Sequence, residues 1–168
     1  RGCLVVAAAA NGGLEGNPPV YPAAYPHVLT VGATDQSNTV APFSTISPTL
    51  DVSAPGVGMV GAVPLSPDAT GFSLGLDGTS FAAPIVSAAA AWIWTLRPTL
   101  DATQIFHLLQ QSAHDVGIPG FDSASGFGIV NIPAALAAPA PSPDPEEPND
   151  DVDQIKPGGL YPDGRPML

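Results

Sequence analysis

At the centre of the chain lies the stretch DGTSFAAP, residues 77–84, where a strand and a turn give way to the apolar helix predicted over Phe81–Leu96. A hydroxyl at the start of a helix lies in the positive field of the helix N-terminus, which stabilises negative charge on the group that the oxygen attacks. Gly78 leaves room for a substrate chain. Ser80 is therefore a candidate nucleophile, with a simple helix N-cap as the alternative interpretation.

Continuous apolar runs upstream of this stretch predict buried strands of a parallel sheet. Leu4–Ala10 is such a run, and it stops at the turn residues that begin with Asn11. Strands covered on both faces have this composition. His27–Ala33 and the short segment Leu50–Ala54 are predicted as the second and third strands. Because helices dominate the rest of the chain, the order of elements predicts a layered α/β fold.

Five further elements complete the predicted pattern. Gly56–Val63 and Thr70–Leu76 are expected to pair as strands across a polar connection broken by proline. Asp101–Ser112 is predicted to be a helix that Asp101 caps, with apolar residues on one side. Phe127–Asn131 predicts a short strand, and Pro133–Ala138 predicts a last helix.

Composition limits the classes of partner. The 168 residues suffice for one domain, and a hydrophobic content of 45% predicts that it folds. Four basic residues stand against 15 acidic ones, which leaves no basic surface for phosphates or anionic lipid. We therefore exclude nucleic acid as a partner. Cys3, the single cysteine, permits no internal disulfide and is predicted to be a small core residue.

The predicted helix Phe81–Leu96 is the nearest approach to a membrane-spanning segment. It is apolar on every side but is interrupted by Pro84 and Ser87, which favours a helix surrounded by protein. The chain opens on Arg1 without an initiator Met or a signal peptide, so we expect it to be truncated at its N-terminus.

The distribution of charge and proline marks a domain boundary near Ala138. Residues 139–168 hold seven carboxylates and eight prolines and lack apolar periodicity. Such a segment is expected to be a semi-rigid, acidic linker. The predicted organisation is one domain over residues 1–138 followed by this linker.

The sequence blocks around Ser80 resemble the subtilisin-like serine proteases, the subtilases. The nucleophile motif of that family reads Gly-Thr-Ser, a bulky residue, Ala, then Ala or Thr, then Pro, as residues 78–84 do here. Further blocks match in the same order: VVAAAANGG at 5–13, YPAAYPHVLTVGA at 21–33, FS at 43–44, LDVSAPG at 50–56 and GFGIVN at 126–131. The resemblance covers roughly residues 4–136. It implies the C-terminal half of a three-layer subtilisin-like fold, in which helices flank a parallel sheet, and a serine-type endopeptidase activity.

The same resemblance implies roles for individual residues. Ser80 is expected to be the nucleophile, and Asn11 to donate a hydrogen bond to the tetrahedral oxyanion; a plain Asn-Gly turn is the alternative for Asn11. Small apolar residues at the pocket for the side chain before the scissile bond imply an uncharged side chain there. The implied substrate-binding residues are Ala9, Ala10, Gly12, Val20, Gly78 and Thr79.

A general base for Ser80 is not apparent in the chain. The family motifs that carry the triad Asp and His precede the oxyanion strand, and neither Asp-Ser/Thr-Gly nor His-Gly-Thr-His occurs here. We interpret His27 as structural and His107 and His114 as solvated residues. We therefore expect the chain alone to be inactive, with both triad partners supplied by a missing N-terminal half of the same domain.

The resemblance also bears on ions, partners and location. No cofactor is required for the chemistry, while the carbonyls of Ala23, Tyr25 and Val28 could hold a structural calcium or sodium ion, a plain turn being the alternative. The Tyr21-Pro22 bond is expected to be cis. Expected partners are a polypeptide substrate, the missing half-domain and a pro-segment, in a secreted or cell-surface protein. Glu146–Asp151 resembles the start of an appended β-sandwich domain, with a solvated linker as the alternative.

Two other functional classes remain open at this level. The chain could be a non-catalytic, peptide-binding half of a pseudoprotease, holding peptide along Gly56–Gly78. It could also be a stand-alone α/β domain whose likeness to subtilases is incidental, but Leu4–Ala8 would then lose the sheet neighbours of an interior strand. The presence of both Asn11 and Ser80 favours the enzyme.

Overall fold

The structure is a computed structural model that describes residues 2–65 and 71–143. Eight elements lie in these residues. They are β1 (Val5–Ala8), β2 (Val28–Thr34), β3 (Val52–Pro55), β4 (Met59–Ala62), β5 (Phe72–Leu76), α1 (Thr79–Leu96), α2 (Ala102–Gln111) and α3 (Ile132–Ala137).

The first three strands form a parallel sheet in the order β1-β2-β3. Val5 of β1 pairs with Val28 of β2, and Val31 of β2 pairs with Val52 of β3. Successive residues of a strand point to opposite faces, so one face of β2 presents Leu29 and Val31 to the core while the other presents Thr30. The Thr30 hydroxyl donates to the Ala23 carbonyl of an adjoining loop. The prediction of a layered α/β fold is thus confirmed.

Helix α1 packs against all three strands and against α2 and α3. Its buried side consists mostly of small residues, which let its backbone approach the sheet. These residues are Thr79, Ala82, Val86, Ala89, Ala90 and Ile93. The prediction that the helix is surrounded on every side is wrong for the described residues, because none of them covers the side that carries Trp92, which is 58% exposed, and Leu96. By length and composition alone α1 could cross a membrane, a test that core helices of soluble proteins also pass.

The remaining elements follow the predicted pattern with one exception, and the predicted burial of Cys3 is wrong. Strands β4 and β5 pair antiparallel, and Asp101 caps α2 in a capping box with Gln104. The predicted strand at 127–131 is reduced to isolated bridges of Ile129 to Ser53 and His114. Gly128 has φ 114°, outside the strand region, and an added Cβ would overlap the His114 carbonyl. Cys3 is exposed and not in the core, because β1 begins only after it.

Contacts of the domain extend slightly past the predicted boundary at Ala138. Arg97 donates to the Ala135 and Ala138 carbonyls, and Gln104 donates to the Pro141 carbonyl. The predicted linker beyond residue 143, its acidic segment at 146–151 and most of the connection between β4 and β5 lie outside the described residues.

Candidate active site

The site begins at the N-terminus of α1. The helix starts at Thr79, two residues earlier than predicted, so Pro84 falls in the second turn and has no N–H to donate to the Ser80 carbonyl. Gly78, the residue before the helix, offers no capping side chain. Thr79 is buried and Ser80 exposed. The Ser80 hydroxyl is therefore accessible, at the end of the helix where the field of the peptide dipoles is positive.

Asn11 is joined to this helix terminus by its side-chain oxygen. Oδ1 accepts from the Thr79 backbone N–H at 3.0 Å and from the Thr79 hydroxyl at 2.9 Å. Both bonds identify the amide oxygen, so Nδ2 must point the other way as a donor. Nδ2 meets no acceptor within residues 2–65 and 71–143, and a Cβ added to Gly78 would lie 3.4 Å from it. The arrangement presents an unused N–H donor at the N-terminus of α1, the helix terminus that also carries the exposed Ser80.

Three of the other predicted substrate residues adjoin Asn11 in the chain, whereas Val20 precedes a separate turn. Ala9 is buried and Gly12 is buried, both within two residues of Asn11. Ala10 adopts φ 74°, the left-handed conformation that residues other than glycine rarely take. Val20 is 37% exposed, and its carbonyl accepts from Ala24 in the turn that follows. The hydrogen bonds therefore unite Asn11 with Thr79, while Val20 shares none with that pair.

The three histidines make no hydrogen bond to Ser80. His27 has φ 60° and is exposed, at the start of β2. His107 Nδ1 lies 3.3 Å from Gln110 Oε1 on α2, and His114 exchanges backbone hydrogen bonds with Ile129. None of the three is therefore paired with Ser80 as a general base.

Sequence reasoning missed a carboxylate with an unusual environment. Asp51, just before β3, accepts from the Thr30 backbone N–H at 2.7 Å and from Gln110 Nε2 at 2.9 Å. Burial raises the pKa of Asp51 from 3.8 to about 6, against the lowering effect of these two hydrogen bonds and of His107. It ties the sheet to α2 and does not hydrogen-bond to Ser80. A carboxylate between apolar Leu50 and Val52 was the available signal.

The ion prediction concerns backbone carbonyls after Tyr21. The Ala23 carbonyl accepts the Thr30 hydroxyl at 2.6 Å, and the Val28 carbonyl lies 3.3 Å from the same oxygen. Among the described residues, no three His, Cys, Asp or Glu side chains form a group that could hold a metal. This leaves a carbonyl-bound ion as a prediction. The expected cis bond at Tyr21-Pro22 is confirmed.

Comparison with known proteins identifies the family of the chain. Residues 1–128 match the model of the subtilase family. The chain belongs to the subtilase family. Subtilisin DY of Bacillus licheniformis is 39% identical over 136 residues, which are 80% of this chain and 47% of that protein. Subtilisin BL of Lederbergia lenta is 40% identical over 135 residues, covering 80% of this chain and 46% of the relative.

A solved subtilase structure shows the same fold. Fervidolysin from Fervidobacterium pennivorans, described as a keratinolytic enzyme related to subtilisin, superposes with a TM-score of 0.69 at 32% identity, over 82% of this chain and 23% of its own. The expected subtilisin-like fold and the membership of a serine peptidase family are thereby confirmed. This subtilase chain spans about half the length of the curated relatives it matches.

Proposed function

We propose that the complete protein is a serine endopeptidase that cleaves polypeptides through an acyl-enzyme on Ser80. The observation that carries the proposal is the pair of hydrogen bonds from Thr79 to Asn11 Oδ1, 3.0 and 2.9 Å long, which leave Nδ2 as a donor at the helix terminus that carries Ser80. A peptide-bond hydrolase needs this combination, since attack by a hydroxyl places negative charge on the carbonyl oxygen.

The reaction divides the roles among few groups. Ser80 Oγ bonds to the carbonyl carbon and loses its proton to a base, while the electron pair of the carbonyl moves to oxygen. Asn11 Nδ2 and the Ser80 backbone N–H donate to that oxyanion. The proton then passes to the leaving amine as the C–N bond breaks, and water hydrolyses the ester. Removal of one such donor lowers kcat about 10²–10³-fold, a magnitude known for subtilisin itself.

We assign the base and its orienting carboxylate to an N-terminal half of the same domain. The support comes from two uncovered surfaces of the described residues and from the length of the relatives. The side of α1 with Trp92 and Leu96 is apolar and exposed, and β1 is an edge strand of the described sheet. The matching relatives are about twice as long as the matched region. A half-domain on these surfaces would bury them and bring an imidazole to Ser80, and without it the chain is inactive.

The proposed substrate is a polypeptide with an uncharged side chain before the scissile bond. The residues that family membership assigns to this pocket, Ala9, Ala10, Gly12 and Val20, are apolar and carry no charge. The chemistry uses no cofactor, and a calcium or sodium ion at the Ala23 turn would have a structural role. A pro-segment and a secreted or cell-surface location complete the proposal, on the strength of family membership.

The test compares two serines of α1 in the complete gene product, assayed on casein and on a chromogenic peptide. Ser80→Ala is expected to lower kcat by several orders of magnitude. Ser87→Ala is the matched control, because Ser87 is exposed and its hydroxyl, within the part of the chain that the structure describes, bonds only the Ala83 carbonyl of its own helix. The 168-residue chain alone is expected to show no turnover. Full activity of Ser80→Ala would remove Ser80 from the mechanism, and peptide binding without cleavage by the complete protein would favour a pseudoprotease.

A further inference from the structure

We propose that Thr45 is a positioning residue for the oxyanion donor Asn11, holding the backbone on both sides of it. The inference rests on the proposed function and adds a residue that acts through Asn11 without touching substrate. It is carried by a single buried hydroxyl that bonds the two peptide groups flanking Asn11.

The geometry of this contact is specific. Thr45 Oγ1 donates to the Ala10 carbonyl at 2.9 Å and accepts from the Gly12 backbone N–H at 3.0 Å. The Thr45 backbone N–H adds a third bond, to the same Ala10 carbonyl, at 3.1 Å. A hydroxyl has one proton to donate, so these partners engage its donor and one of its acceptor positions. Thr45 is 2% exposed, so water does not compete for these bonds.

Asn11 needs such support because the chain turns sharply before it. Ala10 has φ 74°, where a Cβ is strained against the backbone, and the run of β1 has ended two residues earlier. A neighbouring loop supplies the restraint: the Phe43 carbonyl accepts from the Gly13 N–H, and Thr45 bonds to either side of Asn11. The strained turn therefore keeps one conformation.

Asn11 is consequently held at both ends. Thr79 holds the amide oxygen, and Thr45 holds the main chain from which the side chain extends. A donor to a developing oxyanion works only if it is already in place, and a displacement of about 1 Å can cost about 10²-fold in rate. Loss of the Thr45 hydroxyl should thus reduce transition-state stabilisation more than ground-state binding.

The experiment measures kcat and KM of the complete enzyme carrying Thr45→Val, Thr45→Ser or the control Thr34→Val. Thr45→Val should lower kcat roughly 10- to 100-fold with KM changed less than about twofold. Thr45→Ser keeps the hydroxyl and should restore kcat to within about threefold of the unmodified enzyme. Thr34→Val makes the same atom exchange at a buried hydroxyl that has no hydrogen-bond partner among the described residues, and it should leave both constants unchanged.

A double-mutant cycle separates positioning from general structural damage. If Thr45 acts through Asn11, then Thr45→Val in an Asn11→Ala background should lower kcat less than about twofold, because the donor is already absent. Should Thr45→Val not fold, Thr45→Cys, whose thiol is a weak hydrogen-bonding group, replaces it in both backgrounds.

An equal loss of kcat in both backgrounds, or undiminished kcat in Thr45→Val, would overturn the inference while Ser80-dependent turnover of the unmodified enzyme upheld the proposed function. Absence of that turnover would overturn both.

Discussion

Asp51 offers a test of the fold that is independent of catalysis. Its carboxylate lies between β2 and α2, where it accepts from the Thr30 N–H and from Gln110. Burial there raises the pKa of Asp51 to about 6, while His107 on α2 is the charged group that lowers it. The native protein therefore binds this proton more tightly than the unfolded chain does.

The size and sign of the effect follow from the two pKa values. The rise in the pKa of Asp51 from 3.8 to about 6 corresponds to about 3 kcal/mol in the free energy of unfolding, since one pKa unit is worth about 1.4 kcal/mol. Because the native pKa is the higher one, the stabilisation by the proton is complete below about pH 4 and is lost as the pH rises through about 6. The ionised carboxylate thus weakens the fold at neutral pH.

The perturbation is Asp51→Asn in the complete protein, with Ser80→Ala in both compared proteins to prevent self-digestion. Asn keeps an acceptor for the Thr30 N–H and can donate to the Gln110 side-chain oxygen, yet carries no charge at any pH. The free energy of unfolding of the Asn variant relative to its parent should rise by about 2.4 kcal/mol between pH 4 and pH 7, most of the total of about 3 kcal/mol.

Urea unfolding at four pH values between 4 and 7, followed by tryptophan fluorescence, measures this difference. His107→Gln in the same parent removes the residue that lowers the pKa of Asp51 electrostatically. The protein with this substitution should therefore lose slightly more stability than its parent as the pH rises. A difference between Asp51→Asn and its parent that stays constant with pH would refute the reasoning, since it would mean that the carboxyl titrates alike in the folded and unfolded chains.

Two predictions concern packing and use the same Ser80→Ala parent. Thr34→Val should raise the free energy of unfolding, measured by urea unfolding, by about 1 kcal/mol, because it removes a buried hydroxyl without a partner among the described residues. A loss of stability would contradict this prediction, since it would mean that the Thr34 hydroxyl is hydrogen-bonded in the complete protein. Gly128→Ala should lower it by about 2–4 kcal/mol, because φ is 114° and the added Cβ overlaps the His114 carbonyl. Gly120→Ala is the matched control, because Gly120 has φ 87° but no atom lies within 4 Å of the added Cβ. Only the smaller backbone cost of about 1–2 kcal/mol is therefore expected. Equal losses of stability in the two variants would refute the steric argument.

Local patterns in the sequence determined most of the elements. The apolar run before Asn11 is β1, the capping box that begins at Asp101 starts α2, and Ser80 lies at the start of α1. These features depend on residues within a few positions of one another, so periodicity and capping chemistry are enough to locate them. The position of Ser80 in a family motif likewise needed no coordinates.

Tertiary structure alone decided how these parts meet. Asn11 and Thr79 are 68 positions apart, and their hydrogen bonds form because α1 packs against β1. Thr45 reaches Gly12 across 33 positions because the loop between β2 and β3 lies against the turn that follows β1. The raised pKa of Asp51 likewise comes from burial in the folded chain, where its carboxylate also accepts from Gln110, 59 positions away. Such contacts depend on register and packing between distant segments, for which a local sequence pattern carries no signal.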